Sequence, residues 1–280
     1  MRRAAALLFA FILTASAFAQ TPAAAPAAPS NWPTAQFAAS KDPSVHKAYD
    51  VLNQMLRALG GDAWLNVQTM TTEGRAYSFY RGQPNSMSIL FWRFWEWPGK
   101  ERVELTKQRD VIELYNGDKA YEITYKGAAT QDPKDVDTYI RRRSHSLEWV
   151  LRQWLPARGT AILYSGTAMV ERNLADQVTV LNADNDSVTI SVDGTTRMPV
   201  KVSYSWRDPA DRQFDEGATV FSNYKPVQGV QTPYSVVHYI NGEMSSQRFI
   251  TGVNYNVALA PTLFEPKGIT YNQEKQSGSK

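Results

Sequence analysis

The chain contains no cysteine. That absence excludes disulfides, thiolate metal sites and a cysteine nucleophile. It also excludes the lipid anchor of a bacterial lipoprotein precursor, which is attached to a cysteine at the cleavage site. Histidine is scarce, with 3 in 280 residues. No G-x-S-x-G elbow, H-E-x-x-H pair or P-loop occurs, so the familiar signatures of acyl transfer, zinc hydrolysis and nucleotide binding are missing. A net excess of one sign of charge is nearly lacking as well. The formal net charge is +3, and Arg2 and Arg3 supply two of those charges. Nucleic-acid binding through phosphates needs a concentrated basic face, so no nucleic-acid partner is expected. Beyond the first 19 residues no apolar run approaches the roughly 20 residues that a membrane span requires.

What is present begins with an export signal. Met1-Arg2-Arg3 is a positive n-region, Ala4 to Leu13 an apolar h-region, and Ala17-Phe18-Ala19 an A-x-A cleavage site. The pattern predicts a signal peptide over residues 1–19, cleaved after Ala19, and a periplasmic protein. Residues 20–41 are rich in Ala and Pro and are expected to form an extended tether. Residues 42–268 then form the folded domain, and 269–280 a flexible tail. About 240 residues suffice to bury a core without disulfides.

Aromatic residues make up 12% of the chain and include 8 Trp. They concentrate at 87–97, Met-Ser-Ile-Leu-Phe-Trp-Arg-Phe-Trp-Glu-Trp. Read as a strand, Met87, Ile89, Phe91, Trp95 and Trp97 point one way, and Leu90, Trp92 and Phe94 the other. A strand with one wet face alternates apolar with polar. This one needs a cover on each side: core on one, and a helix, ligand or partner on the other.

Two helices are predicted. Asp42 is an N-cap and Pro43 suits the first helical position. Val45, Ala48, Tyr49, Leu52, Met55, Leu56 and Leu59 form one stripe, and Gly60-Gly61 ends it. The second runs from about Pro133 to Leu155, with Val136, Tyr139, Ile140, Leu147, Val150, Leu151 and Trp154 as its apolar stripe and Pro156 after its end. The remainder reads as strands: 67–81, 86–97, 102–107, 111–125, 178–181, 188–192, 200–206, 219–224, 234–240 and 247–255. Asn116-Gly117, Asp193-Gly194 and Asn241-Gly242 mark hairpins. No parallel βαβ rhythm occurs. The expected fold is mainly β (α+β), one large antiparallel sheet covered by two helices.

Candidate chemistry is sparse. His46 and His145 fall on polar helix faces; His145 and Glu148, at i and i+3, lack the third ligand a metal site needs. His238 shares a strand face with Tyr234, Val236 and Ile240, which suits a hydrogen-bonded core histidine. Glu96, Glu101 and Glu104 keep a carboxylate-dependent hydrolase as one alternative. Arg143 falls within the apolar stripe of the second helix. It must snorkel, pair with a buried acid or face a polar group on a ligand, and it is a candidate for holding a lid helix over a cavity.

Several segments resemble a known family. Leu59-Gly60-Gly61-Asp62-Ala63-Trp64-Leu65 followed by Thr72-Glu73-Gly74 resembles the opening "ALGG…L…G" of exported bacterial proteins of the LolA/LolB-like lipoprotein-carrier superfamily. Phe221 to Pro233 is similar to their "F-x-x-Y…G-x-x-x-P" strand pair, Asn254 to Pro266 to their closing "N…LF-x-P" segment, and Asp193 to Pro199 to one of their hairpins. The resemblance implies a twisted, incompletely closed antiparallel barrel whose concave side is plugged by helices. In the carriers that surface holds lipoprotein acyl chains. The expectation is therefore a non-catalytic periplasmic binding protein or chaperone for a lipid or lipidated polypeptide, acting as a monomer without cofactor or metal. Its apolar cavity is assigned to Leu90, Trp92, Phe94, Tyr139, Arg143, Leu147 and Trp154. An envelope protein docking on an aromatic surface is the other alternative.

Overall fold

The computed structural model describes residues 31–267, except Ser86 and Ala210. The signal segment 1–19, the first part of the tether and the tail 269–280 lie outside the described residues.

Helix α1 (Pro43–Leu59) forms where the sequence places it. The Asp42 carboxylate accepts from the backbone N–H of Ser44 and Val45, at 2.8 and 3.4 Å, and satisfies two of the first turn's orphan donors. Gly60 ends the helix with φ +122°, a conformation that a Cβ would oppose. A Cβ there would also lie 2.3 Å from the Gly229 carbonyl oxygen. Ala48, Val51, Leu52, Met55, Leu56 and Leu59 are buried in the main core. Each of the larger ones contributes roughly 2 kcal/mol by burial. A short helix, α2 (Asp62–Leu65), follows.

The tether ends earlier than expected. Trp32 is buried in the main core, and its indole N–H donates to Asp62 Oδ1 at 3.1 Å. Thr34 is fully buried and donates to Asn53 Oδ1 at 2.6 Å. One large indole outweighs the Ala/Pro character around it, so residues from Trp32 onward belong to the packed domain.

The strands are β1 (Thr69–Tyr80), β2 (Gln83–Pro84), β3 (Ile89–Glu96), β4 (Lys100–Leu105), β5 (Val111–Asn116), β6 (Lys119–Thr124) and β7 (Gly127–Thr130), then β8 (Ala161–Val170), β9 (Asn173–Leu181), β10 (Ser187–Asp193), β11 (Pro199–Arg207), β12 (Phe214–Val227), β13 (Val230–Ile240) and β14 (Glu243–Tyr255). They form a single antiparallel sheet in the order β7-β6-β5-β4-β3-β1-β14-β13-β12-β11-β10-β9-β8, with β2 paired only to β1. The sheet does not close: β7 and β8 are its two edges.

This topology dictates the helical cover. The chain leaves one edge at Thr130 and re-enters at the opposite edge at Ala161. The intervening residues must cross the whole sheet, and they do so as helix α3 (Pro133–Ser144), α4 (Leu147–Trp149) and a π-helical turn, Val150–Trp154. The predicted second helix is thus broken. His145 is the C-cap of α3, and Ser146 N-caps α4, its hydroxyl accepting from Trp149 N–H at 3.3 Å. The break shifts the phase of the apolar stripe: Tyr139 precedes it, while Leu147, Val150 and Leu151 follow it, all buried.

Strands β7 and β8 and the start of β9 lie outside the predicted set. β7 is built of small residues, Gly-Ala-Ala-Thr, and β8 carries Gly166 at a register shift, so neither offers a regular alternation. Asn241-Gly242 makes the expected two-residue turn with both φ positive, +51° and +78°. At the β5–β6 hairpin the turn centres one residue later, on Gly117-Asp118, because Asn116 pairs with Lys119.

Candidate functional site

A cavity of about 220 Å³ lies between the inner face of the sheet and the crossing helices, partly open to solvent. Phe91 and Trp95 of β3, Phe221 of β12 and Ile250 of β14 supply its apolar walls, and Leu147 and Trp149 its roof. An apolar cavity of about 150 Å³ already holds a benzene-sized ligand, so the space exceeds one small ring.

The aromatic strand shows why its second face is apolar. Phe91, Arg93 and Trp95 turn to the cavity, as does Trp97 just beyond the strand. Trp97 packs on Trp95 and Trp149 with ring centroids 6.0 and 5.6 Å away. The opposite face is covered by the chain's own C-terminal segment. Phe94 packs with Ile112, Leu114, Ile123 and Phe264, together with Leu259 and Leu263. Trp92 lies beneath the Arg109 guanidinium, 4.1 Å from the ring centroid. Leu90, Trp92 and Phe94 therefore do not line the cavity, which corrects their assignment. Trp154 is corrected too: it packs in the core edge-on to His145, with centroids 5.5 Å apart. Tyr139, Arg143 and Leu147 do border the cavity.

Polar groups gather at one region of the wall. Glu101 of β4 is paired to Arg93, Nε–Oε1 2.8 Å and Nη2–Oε2 3.2 Å, and accepts the Tyr139 hydroxyl at 3.2 Å. Burial by itself would push the Glu101 carboxyl up. Arg93, by charge and hydrogen bond, with Arg248 and Arg142 farther off, overcomes that and holds it at about 2. Burial and then the Glu101 charge raise the Tyr139 hydroxyl well above its ordinary value. Tyr139 also stacks on Tyr115, with centroids 3.6 Å apart.

His238 faces the same region, its Nδ1 3.0 Å from the Thr219 hydroxyl of the neighbouring strand. Burial, then the charges of Arg142 and Arg248, lower its pKa well below the usual value despite Glu101, so it is neutral at pH 7. Two arginines fasten the roof. Arg143 donates to the carbonyls of Gly117 at 2.7 Å and Gly99 at 3.5 Å, and lies 5.3 Å from the Trp149 ring. Arg152 donates to the Val67 carbonyl at 2.8 Å and stacks over Trp97 at 3.9 Å.

His145 departs from its expected surface position. It is buried and stacked on Tyr204 at 4.2 Å, with Nδ1 2.6 Å from the Arg141 carbonyl and Nε2 2.7 Å from Asp186. The helix break at this residue turns the imidazole inward. His46 is exposed and pairs with Asp50 at 3.2 Å.

The three named acids do not converge. Glu96 pairs with Lys100 at 2.7 Å and Glu104 with Arg102 at 2.7 Å, while Glu101 alone faces the cavity. Glu101 is held ionised with both oxygens engaged, which suits it to bracing rather than to giving a proton. Among the described residues, no group of three or more His, Asp or Glu is placed to hold a metal.

Sequence reasoning missed Arg93, Glu101, His238 and Arg248 as cavity residues. One signal was available: Arg93 interrupts the apolar face of Phe91 and Trp95, the same anomaly that marks Arg143.

No protein-family model matches the chain, and no curated protein sequence does. Solved structures do match. A domain named for outer membrane lipoprotein sorting, from Vibrio parahaemolyticus, aligns over 78% of this chain and 96% of its own, with TM-score 0.52 and 9% identity. A DUF1329 family protein from Desulfovibrio piger aligns over 79% and 96%, with TM-score 0.52 and 13% identity. These matches show the fold: both share the open antiparallel sheet with helices against one face, the architecture that the sequence resemblance implied.

Proposed function

We propose that this chain is a non-catalytic binding protein or chaperone for a lipid or lipidated polypeptide, exported to the periplasm and cleaved after Ala19. The observation that carries the reading is the largely apolar cavity between the sheet and a separately fastened helical roof. Sheet cores normally close to native density, and a space lined by Phe91, Trp95, Phe221 and Ile250 has no structural need to remain. Each methylene buried there would contribute about 0.8 kcal/mol, so six would supply roughly 5 kcal/mol without any chemistry. Among the described residues, no helix is long and apolar enough to span a membrane.

The test is native mass spectrometry of the protein purified from its own envelope, with titration of an apolar fluorescent probe into the delipidated form. The expected result is a copurifying acyl-bearing mass and saturable probe binding that the extracted lipid displaces. Ligand-free protein that binds no probe would overturn the reading.

A further inference from the structure

We propose that the cavity selects an amphiphile with an anionic head group, and that Arg248 and Arg142 hold that group inside the protein. The proposal rests on the lipid-binding reading above and names the class of ligand within it.

Five arginines and two glutamates border the cavity. Three of the arginines are engaged by the protein. Arg93 is bidentate on Glu101, Arg143 serves the carbonyls of Gly117 and Gly99, and Arg152 serves the carbonyl of Val67. Arg248 and Arg142 are different. Among the described residues, neither has a carboxylate within ion-pairing distance or a hydrogen-bond acceptor. Arg248 has only the face of Phe91, 5.7 Å away, and Arg142 only that of Tyr139, at 5.9 Å. The cations come from opposite sides, Arg248 from β14 and Arg142 from α3.

Nearby acids do not neutralise them. Glu101 is committed to Arg93 and Tyr139. Glu113 lies within electrostatic reach but forms no ion pair with either, and burial raises its pKa, which weakens it as a counter-ion. Glu148, the second bordering acid, acts on Arg152 and Arg93. Burial depresses the Arg248 pKa; Glu101 opposes that, and Arg142 and Arg93 add to it.

Both arginines are half-buried, and in the empty protein no acceptor among the described residues holds their guanidinium groups. A carboxylate or phosphate entering the cavity gains charge-assisted hydrogen bonds from them, and the planar fork of arginine suits either. Neutral His238 beside them adds hydrogen-bonding capacity without charge. The aromatic and aliphatic walls adjoining these cations accommodate an apolar chain. A charged head beside a greasy tail is the chemistry that satisfies both.

The test compares dodecanoate, dodecanol and inorganic phosphate on the delipidated full-length protein at pH 7.5, by calorimetry. Wild type is expected to bind dodecanoate about tenfold to a hundredfold more tightly than dodecanol, the range that a charge-assisted hydrogen bond supplies. Phosphate alone should bind much more weakly than dodecanoate. Arg248→Gln should remove most of the preference by weakening dodecanoate far more than dodecanol, and Arg142→Gln should reduce it independently. In the ligand-free protein Arg248→Gln should leave the melting temperature unchanged or raise it, whereas a structural arginine would lower it.

Equal affinity for acid and alcohol, or equal loss of both in Arg248→Gln, overturns the head-group site while the lipid-binding reading stands. Phosphate binding as tight as dodecanoate overturns the amphiphile in favour of a free anion. Absence of binding by either chain overturns both readings.

Discussion

Arg143 of the crossing helix donates to the Gly117 carbonyl at 2.7 Å, joining the roof to the β5–β6 turn 26 positions earlier in the chain. Its guanidinium also lies 5.3 Å from the Trp149 ring, so one side chain spans the break between α3 and α4. The arginine that looked misplaced on a helical wheel is a tie between the lid and the floor.

Arg143→Leu should therefore loosen the roof without emptying the core. Loss of the charged hydrogen bonds predicts a cost of about 1–3 kcal/mol in urea unfolding. Hydrogen exchange should rise across residues 133–154 and remain unchanged in α1. Unchanged stability together with unchanged probe uptake would show that Arg143 does not hold the lid.

Acid should act in two steps. The folded-state pKa of His238 is depressed, so below about 6.5 the unfolded chain takes up a proton that the folded chain refuses, and stability declines from there. Glu101 is also depressed, to about 2, so its contribution is complete above the ordinary carboxylate range and is lost as pH falls toward 2. That contribution is about 3 kcal/mol at most. Glu101→Gln should flatten the acid limb between about pH 4.5 and 2. It should also lower stability at pH 7 by leaving Arg93 unpaired. Chemical denaturation at stepped pH reads both effects.

The faces of β3 should respond differently. Phe91 is 1% exposed, and Phe91→Ala should cost about 3–5 kcal/mol. Val236 borders the cavity from β13, and Val236→Trp should fill the existing space. Thermal unfolding should show little loss, while uptake of an apolar probe should fall sharply. Trp92→Ala, on the far face, should leave uptake unchanged.

Removing the segment that carries Trp32 should weaken the domain. A chain beginning at Lys41 loses the buried indole and its bond to Asp62. Unfolding should require about 3 kcal/mol less than for a chain beginning at Gln20. Equal midpoints would show the segment to be a tether after all.

Legibility followed the range of the interaction. Helix α1 could be read whole, since Asp42, Pro43, its apolar stripe and Gly60 all act within a few turns. The Asn241-Gly242 hairpin was legible for the same reason. The helix break at His145 was not, because the partners that receive its inward-turned imidazole, Tyr204 and Asp186, are distant in sequence. Nor could the sequence say which side of β3 meets the cavity: Phe91 and Trp95 are as apolar as Leu90, Trp92 and Phe94.

By itself the sequence determined an antiparallel sheet, two helical covers and an aromatic strand requiring shelter on both sides, because those follow from side-chain period and local turn chemistry. Only the tertiary structure decided that the C-terminal segment shelters one side and a cavity the other. That choice depends on the two edges β7 and β8 lying at opposite ends of one open sheet. The connection between them must cross the concave face, and the space it leaves uncovered is fixed by where Arg143 and Arg152 fasten it.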